Sequence, residues 1–232
     1  MAPGSFRIPL VVLVLAAILL LYVADISGLF YGVSPGGNAT QIPQVEVREY
    51  QGKPLSPVVD IRPNNIGGIR HIDPAGYRLR VDGLVSIPKS YSYGEVVENH
   101  TAYKKVVTLH CVDGWDATIL WEGVSVTDLL NESVVLPGAT TVIFYADDGF
   151  SSSLPLQYLT DRGIIMAYRV NNITLPFERG FPFQLVAEDK WGYKWVKWIT
   201  RIQVSNDTTY RGYWEQRGYS NTADLTKHFF VD

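Results

Sequence analysis

Apolar and polar residues alternate along much of this chain, in short runs broken by turn residues. Tyr77-Arg-Leu-Arg-Val-Asp-Gly-Leu-Val predicts a half-buried strand that ends at a Gly turn. Residues 103–110 predict a strand running into Cys111, and residues 141–146, 164–170, 183–187 and 198–204 predict four more. Short helices are expected over residues 93–99 and 154–158. A third starts near Val124, with Ser125 or Thr127 as its N-cap. Asp147-Asp148-Gly149 and Asn171-Asn172 read as turns. Short strands with irregular connections and few helices predict an α+β, mainly β, domain. There is no regular βαβ alternation and no internal repeat.

The N-terminal pattern is different. Residues 8–24 (IPLVVLVLAAILLLYVA) form an uninterrupted apolar run, at the short end for a membrane-spanning helix. A cleaved signal peptide is the alternative, but Tyr22-Val23-Ala24 does not provide a small-x-small cleavage site. The run is therefore read as an uncleaved anchor. Arg7 precedes it and the next basic residue is Arg48, which predicts a cytoplasmic N-terminus (residues 1–7) and an extracytoplasmic main domain. Residues 25–57, rich in Gly, Pro and polar residues, read as a stalk, residues 58–220 as the domain and residues 221–232 as a tail. Asn38, Asn99, Asn131, Asn172 and Asn206 each stand in an Asn-x-Ser/Thr sequon, five of nine asparagines, in keeping with an exported glycoprotein.

Composition narrows the function. Apolar content of 47% and charged content of 19% suit a globular domain with a membrane segment. A formal charge of −3, with no basic cluster interleaved with aromatics, gives no sign of a nucleic-acid partner. There is no dinucleotide or Walker loop, no G-x-S-x-G, no H-E-x-x-H and no C-x-x-C-H, and the four histidines are scattered without metal-ligand spacing. Cys111 is the sole cysteine, so it is a buried core thiol, a nucleophile or a metal ligand. It stands where a strand is predicted to end, a place from which a thiolate projects into loops. A soft thiolate suits molybdenum, tungsten, copper or iron, and one thiolate needs a cofactor to bring the other ligands.

Cys111-Val-Asp-Gly-Trp115, then Trp121-Glu-Gly-Val, Asp148-Gly and Ala167-Tyr-Arg-Val-Asn-Asn stand in a distinctive order. Arg179-Gly-Phe-Pro-Phe-Gln-Leu-Val, Trp191-Gly-Tyr-Lys-Trp-Val-Lys-Trp and Tyr213-Trp-Glu-Gln-Arg-Gly-Tyr follow. The series resembles the molybdopterin-dependent oxidoreductases of the sulfite oxidase type over roughly residues 61–219. Around Cys111 it is most similar to bacterial methionine-sulfoxide-reducing catalytic subunits. The resemblance implies a molybdopterin cofactor carrying Mo, or W, with Cys111 as metal ligand and the pterin dithiolene giving two further sulfurs. It implies cofactor contacts from Asn64, Asn65, Gly67 and Gly68 in an N-terminal loop, and from Asp147 after a strand. It implies the same for Gly192, Tyr193 and Lys194 in a Gly-aromatic-Lys loop.

Two positions depart from the family pattern. Arg179 stands where His or Asn is usual, and Gln184 replaces an Arg, so Arg179 is expected to supply the anion contact from another direction. Beside the cysteine, Asp113 and Asp116 stand in place of the basic segment of sulfite oxidases. Carboxylates there repel a dianion, which favours a neutral oxo-acceptor such as a sulfoxide, small or protein-bound, with Asp113 at the catalytic centre. The resemblance further implies a separate electron-transfer partner, a haem-containing membrane subunit being one form. Two other readings stay open: a sulfite oxidase proper, and a cofactor-free envelope module that keeps the fold. The second draws on Gln184 and on Arg7 standing alone where a twin-arginine export signal would lie.

Overall fold

The computed structural model describes residues 44–230. The anchor read over residues 8–24, the segments flanking it up to residue 43 and the last two residues lie outside the described residues. Among the described residues no helix is long and apolar enough to cross a membrane.

Two five-stranded sheets make up the domain. The first runs β10 (Ile173–Thr174), β9 (Ile165–Val170), β6 (Asp116–Ser125), β5 (Ala102–His110), with β11 (Gln184–Val186) also paired to β9. The second runs β4 (Lys89–Tyr91), β3 (Leu79–Gly83), β12 (Ile199–Ser205), β7 (Thr141–Ala146), β8 (Ser151–Pro155). A small hairpin, β1 (Glu49–Tyr50) and β2 (Lys53–Pro54), precedes both. The three helices are α1 (Tyr93–Asn99), α2 (Val126–Ser133) and α3 (Leu156–Arg162). One apolar core draws on both sheets, with Leu79, Val81, Ile119, Trp121, Phe144 and Ile202 all buried. The mainly β, α+β architecture is the one the alternation predicts.

Local chemistry sets the element ends. α1 starts at a reciprocal capping box, in which the Ser92 hydroxyl accepts from the Glu95 N–H and the Glu95 carboxylate accepts from the Ser92 N–H. α2 starts at Val126, because Ser125 caps it and β6 extends to that residue. β6 does not alternate in sequence, since it is buried on both faces over most of its length. Asn171 and Asn172 both take positive φ, 44° and 67°, in the tight turn between β9 and β10.

The domain is longer than hydropathy suggests. Residues 44–57, read as the end of the stalk, are bound to it: Val47 N–H donates to Asn171 O at 2.9 Å, Ser56 N–H donates to Thr118 O at 2.8 Å, and Leu55 is buried. Residues 221–230, read as tail, also pack. Ala223 is fully buried and its carbonyl accepts from Trp191 N–H at 2.9 Å, while Phe229 meets the Trp191 ring edge-on. Both segments are held by backbone hydrogen bonds and single side chains, which leave no apolar period to read.

Candidate cofactor site at Cys111

The β5–β6 hairpin is the longest strand pair, in register from Ala102↔Val124 to His110↔Asp116. Cys111 opens its turn. The Cys111 N–H donates to Trp115 O at 2.9 Å, Gly114 N–H donates back to Cys111 O at 3.1 Å, and Gly114 takes φ +82°, which a side chain would strain. The turn is thus locked on a rigid strand pair, with Cys111 only 8% exposed. The loop at Gly192 lies directly against it: a Cβ there would sit 3.1 Å from His110 O and 3.7 Å from Cys111 Cα.

Cys111 lines a cleft of about 980 Å³, counted out to its open mouth. Asn64, Asn65, Asp113, Arg179, Gln184, Gly192 and Tyr193, all expected at the site, line it too. Its aromatic walls are Trp115, Phe150, Trp195, Trp198, Trp214 and Tyr219. Trp198 takes φ +50°, a sparsely populated conformation for a bulky residue, held by its indole N–H donating to Phe177 O at 2.8 Å.

Four expected residues lie elsewhere. Lys194 is buried in an ion pair with Glu215, Nζ to Oε1 2.6 Å, and also donates to Ser153 O at 3.0 Å. The tight 3-10 turn Gly192–Lys194 aims it into the core, and Lys197, one turn on, reaches the cleft instead. Asp147 pairs with Arg70 at 3.3 Å, while its neighbour Asp148 lines the cleft. Gly67 and Gly68 shape the loop without lining the cleft: Asn65 Oδ1 accepts from the Gly68 N–H at 2.7 Å, and Gly68 takes φ +83°. Asn64 donates to Asp113 Oδ2 at 3.4 Å, and Lys197 Nζ donates to Asn64 O, so the loop is tied to the hairpin and to the cationic side of the cleft. Sequence reading passed over Arg62, Asp148 and Lys197 as site residues; the second lysine of Gly-Tyr-Lys-Trp-Val-Lys was the available signal.

The cleft combines soft, cationic and unsatisfied groups. Burial, aided by the negative charge of Asp113, pushes the Cys111 thiol up, so it is a poor free nucleophile. A bound metal ion reverses this, because it deprotonates a coordinating thiol outright. Among the described residues no three His, Cys, Asp or Glu side chains converge to hold an ion, so a metal at Cys111 must bring its other ligands with it. Arg179 and Gln184 are buried, and Nη1 of the first and Oε1 of the second have no hydrogen-bond partner. Such groups are costly unless a ligand answers them. A donor on Arg179, an acceptor on Gln184 and a cation at Lys197 fit a heterocycle with amide-like edges and an anionic arm. Arg179 and Gln184 thus both line the cleft.

Burial also lowers Lys197 to about 8, Arg179 acting the same way and Asp148 opposing both. Its charge is present below that pH and lost above it. Phosphate or pterin-phosphate binding by the cofactor-free domain is therefore expected to weaken as pH rises through about 8. Isothermal titration across pH 6.5–9.5 checks this, with Lys197→Met expected to flatten the profile; an unchanged profile in the variant would remove Lys197 from the anion site.

Comparison with known proteins shows the family. The family model described as oxidoreductase molybdopterin binding domain matches residues 66–214. The chain belongs to that family. An uncharacterized oxidoreductase, YuiH, of Bacillus subtilis is 32% identical over 153 residues, 66% of this chain and 76% of that protein. A putative protein-methionine-sulfoxide reductase subunit, YedZ1, of Azospira oryzae is 33% identical over 153 residues, covering 66% and 57%. Mitochondrial sulfite oxidase of Drosophila melanogaster is 30% identical over 169 residues, 66% of this chain but 29% of that enzyme. The sulfane dehydrogenase SoxCD of Paracoccus pantotrophus shares the fold, with a TM-score of 0.59 at 21% identity over 67% of this chain and 43% of that one. This chain thus spans little more than half of YedZ1 and under a third of the fly oxidase. It is a molybdopterin oxidoreductase by family.

Proposed function

We propose that this protein is a membrane-anchored molybdopterin oxidoreductase in which the Cys111 thiolate ligates Mo, or W, and that it transfers an oxygen atom to or from a neutral oxo-substrate. The observation that carries this reading is Cys111 fixed at a hairpin tip, in a cleft whose wall holds the unanswered polar groups of Arg179 and Gln184. When bound, the metallocofactor supplies two-electron oxygen-atom transfer. The chain's own part is to hold and shield it. Cys111 contributes the thiolate, Arg179, Gln184 and Lys197 contact polar and anionic parts, and Trp115, Trp214 and Tyr219 keep water from the reacting centre. Asn64, Asn65 and Gly192 shape the walls.

Asp113 sets the substrate charge. Its carboxylate acts on the Cys111 thiol directly, so a dianion approaching the same point is repelled. Neutral sulfoxides are the favoured class, in keeping with the methionine-sulfoxide reductase name of YedZ1. Asp113→Asn is expected to raise kcat/KM for sulfite on the order of a hundredfold, about the effect of one charge on a dianion over roughly 10 Å at an effective dielectric near 20. A variant no better with sulfite than wild type would withdraw this role from Asp113.

The apolar run at residues 8–24 supports an anchor with the domain outside the cytoplasm, and electrons then arrive from a separate redox protein, a haem-bearing membrane subunit among the candidates. Relatives named as subunits support such a partner. Elemental analysis of protein purified from its native membrane tests the cofactor assignment. Molybdenum or tungsten in stoichiometric amount is expected, and wild-type protein free of both would overturn it.

A further inference from the structure

The asparagines of this chain divide into two groups. Those outside sequons have structural or site roles: Asn64 and Asn65 shape the cleft, Asn171 is fully buried with its amide bonded to Leu120, Glu46 and Ser56, and Asn221 accepts from Lys194. The sequon asparagines that the structure describes, Asn99, Asn131, Asn172 and Asn206, are all exposed. Among the described residues no side-chain hydrogen bond holds Asn99, Asn131 or Asn206. With 28 Ser and Thr in 232 residues, nine asparagines should form about one sequon by chance, against the five present.

Their placement is polarised. The cleft lies at the C-terminal end of β5, the N-terminal end of β6, the turn after β7 and the residues just before β12. Asn99 precedes the opposite end of β5, a nine-residue strand about 30 Å long. Asn131 is on α2, which follows the far end of β6, and its neighbour Glu132 pairs with His100 at 3.2 Å, so these two sequons adjoin. Asn206 follows the far end of β12, about 24 Å from Trp198 at the cleft. Asn172 sits in the β9–β10 turn, and among the described residues no sequon residue lines the cleft.

We infer that Asn99, Asn131 and Asn206, with Asn172 at the side, carry N-linked glycans that coat the pole opposite the cleft and leave the cleft pole bare for substrate and redox partner. The donor is a lipid-phosphate-linked oligosaccharide. The side-chain Nδ2 bonds to the anomeric carbon as the bond from that carbon to the phosphate oxygen breaks, the lipid phosphate leaves and Nδ2 loses one proton. No electrons are exchanged. The inference rests on the extracytoplasmic orientation proposed above. Within α2 the Ser133 hydroxyl is buried and donates to Leu129 O at 3.1 Å, so Asn131 is an acceptor only before the helix packs, whereas Thr101 and Thr208 are exposed.

The experiment uses the full chain purified from its native membrane, with peptide mass spectrometry at each sequon and protease accessibility of sealed cells as a separate readout of orientation. Oligosaccharide is expected on Asn99, Asn172 and Asn206, and on Asn131 if transfer precedes folding. Asn206→Gln and Thr208→Ala should each remove one glycan mass without changing turnover. Unmodified sequon peptides on a domain that proteases reach from outside would overturn the inference and leave the orientation standing. Unmodified peptides on a protected domain would overturn both.

Discussion

Cys111→Ala is expected to lower turnover by more than about a hundredfold while the domain stays folded. Loss of groups merely supporting a metal ligand costs about 10–100-fold in affinity or activity, so loss of the ligand itself should exceed the upper end. The cost in stability should be only about 1–2 kcal/mol, that of a small truncation at a mostly buried position. Steady-state kinetics and a denaturation curve on one preparation separate the two effects. A variant that turns over like wild type would return Cys111 to the status of a core thiol, and one that fails to fold would assign the turn a structural role. Cys111→Ser serves in the second case, since it keeps the size and the turn but replaces the soft ligand.

Glu215→Ala is expected to cost about 3–5 kcal/mol, the largest stability change of any single substitution considered. Lys194 and Glu215 are each almost completely buried, so truncating Glu215 removes the carboxylate that offsets the buried Lys194 charge. The pair joins three segments: the Gly192–Lys194 turn, β8 through Ser152 and Ser153, and the stretch that carries Trp214 and Tyr219 to the cleft. The melting temperature should fall by roughly 6–20 °C for a domain of this size. Lys194→Met combined with Glu215→Leu should lose less than either single truncation, because replacing both charges by apolar groups removes the desolvation problem. If the double variant were the least stable of the three, the ion pair would be net stabilising and the expectation wrong.

The same pair shows what could be read from residues alone. Gly192-Tyr193-Lys194 was identified as a site loop, and Gly192 and Tyr193 do line the cleft. Lys194 does not, because its partner Glu215 lies 21 residues further on, a distance over which sequence pattern carries no signal. Asp147 and Asp148 illustrate a smaller shift: adjacent turn residues face different ways, and only the fold determines which one reaches the cleft. β5, which keeps a more exposed face, was legible by its alternation, and the buried β7 by the turn residues that follow it. β6 was not, since a strand covered on both faces has no period to detect. The short helix over residues 93–99 was legible without its cap, and the cleft position of Cys111 followed from its place at the end of a predicted strand. Arg179 and Gln184, both read as site residues, do line the one cleft.

The metal's own coordination shell tests the central claim most directly. X-ray absorption at the molybdenum edge, on protein purified from its native membrane, should show three sulfur neighbours in the wild type, two from the dithiolene and one from Cys111, and two in Cys111→Ser. Two sulfurs in both proteins would mean that the thiolate does not bind the metal, and the account of this cleft built around Cys111 would be contradicted.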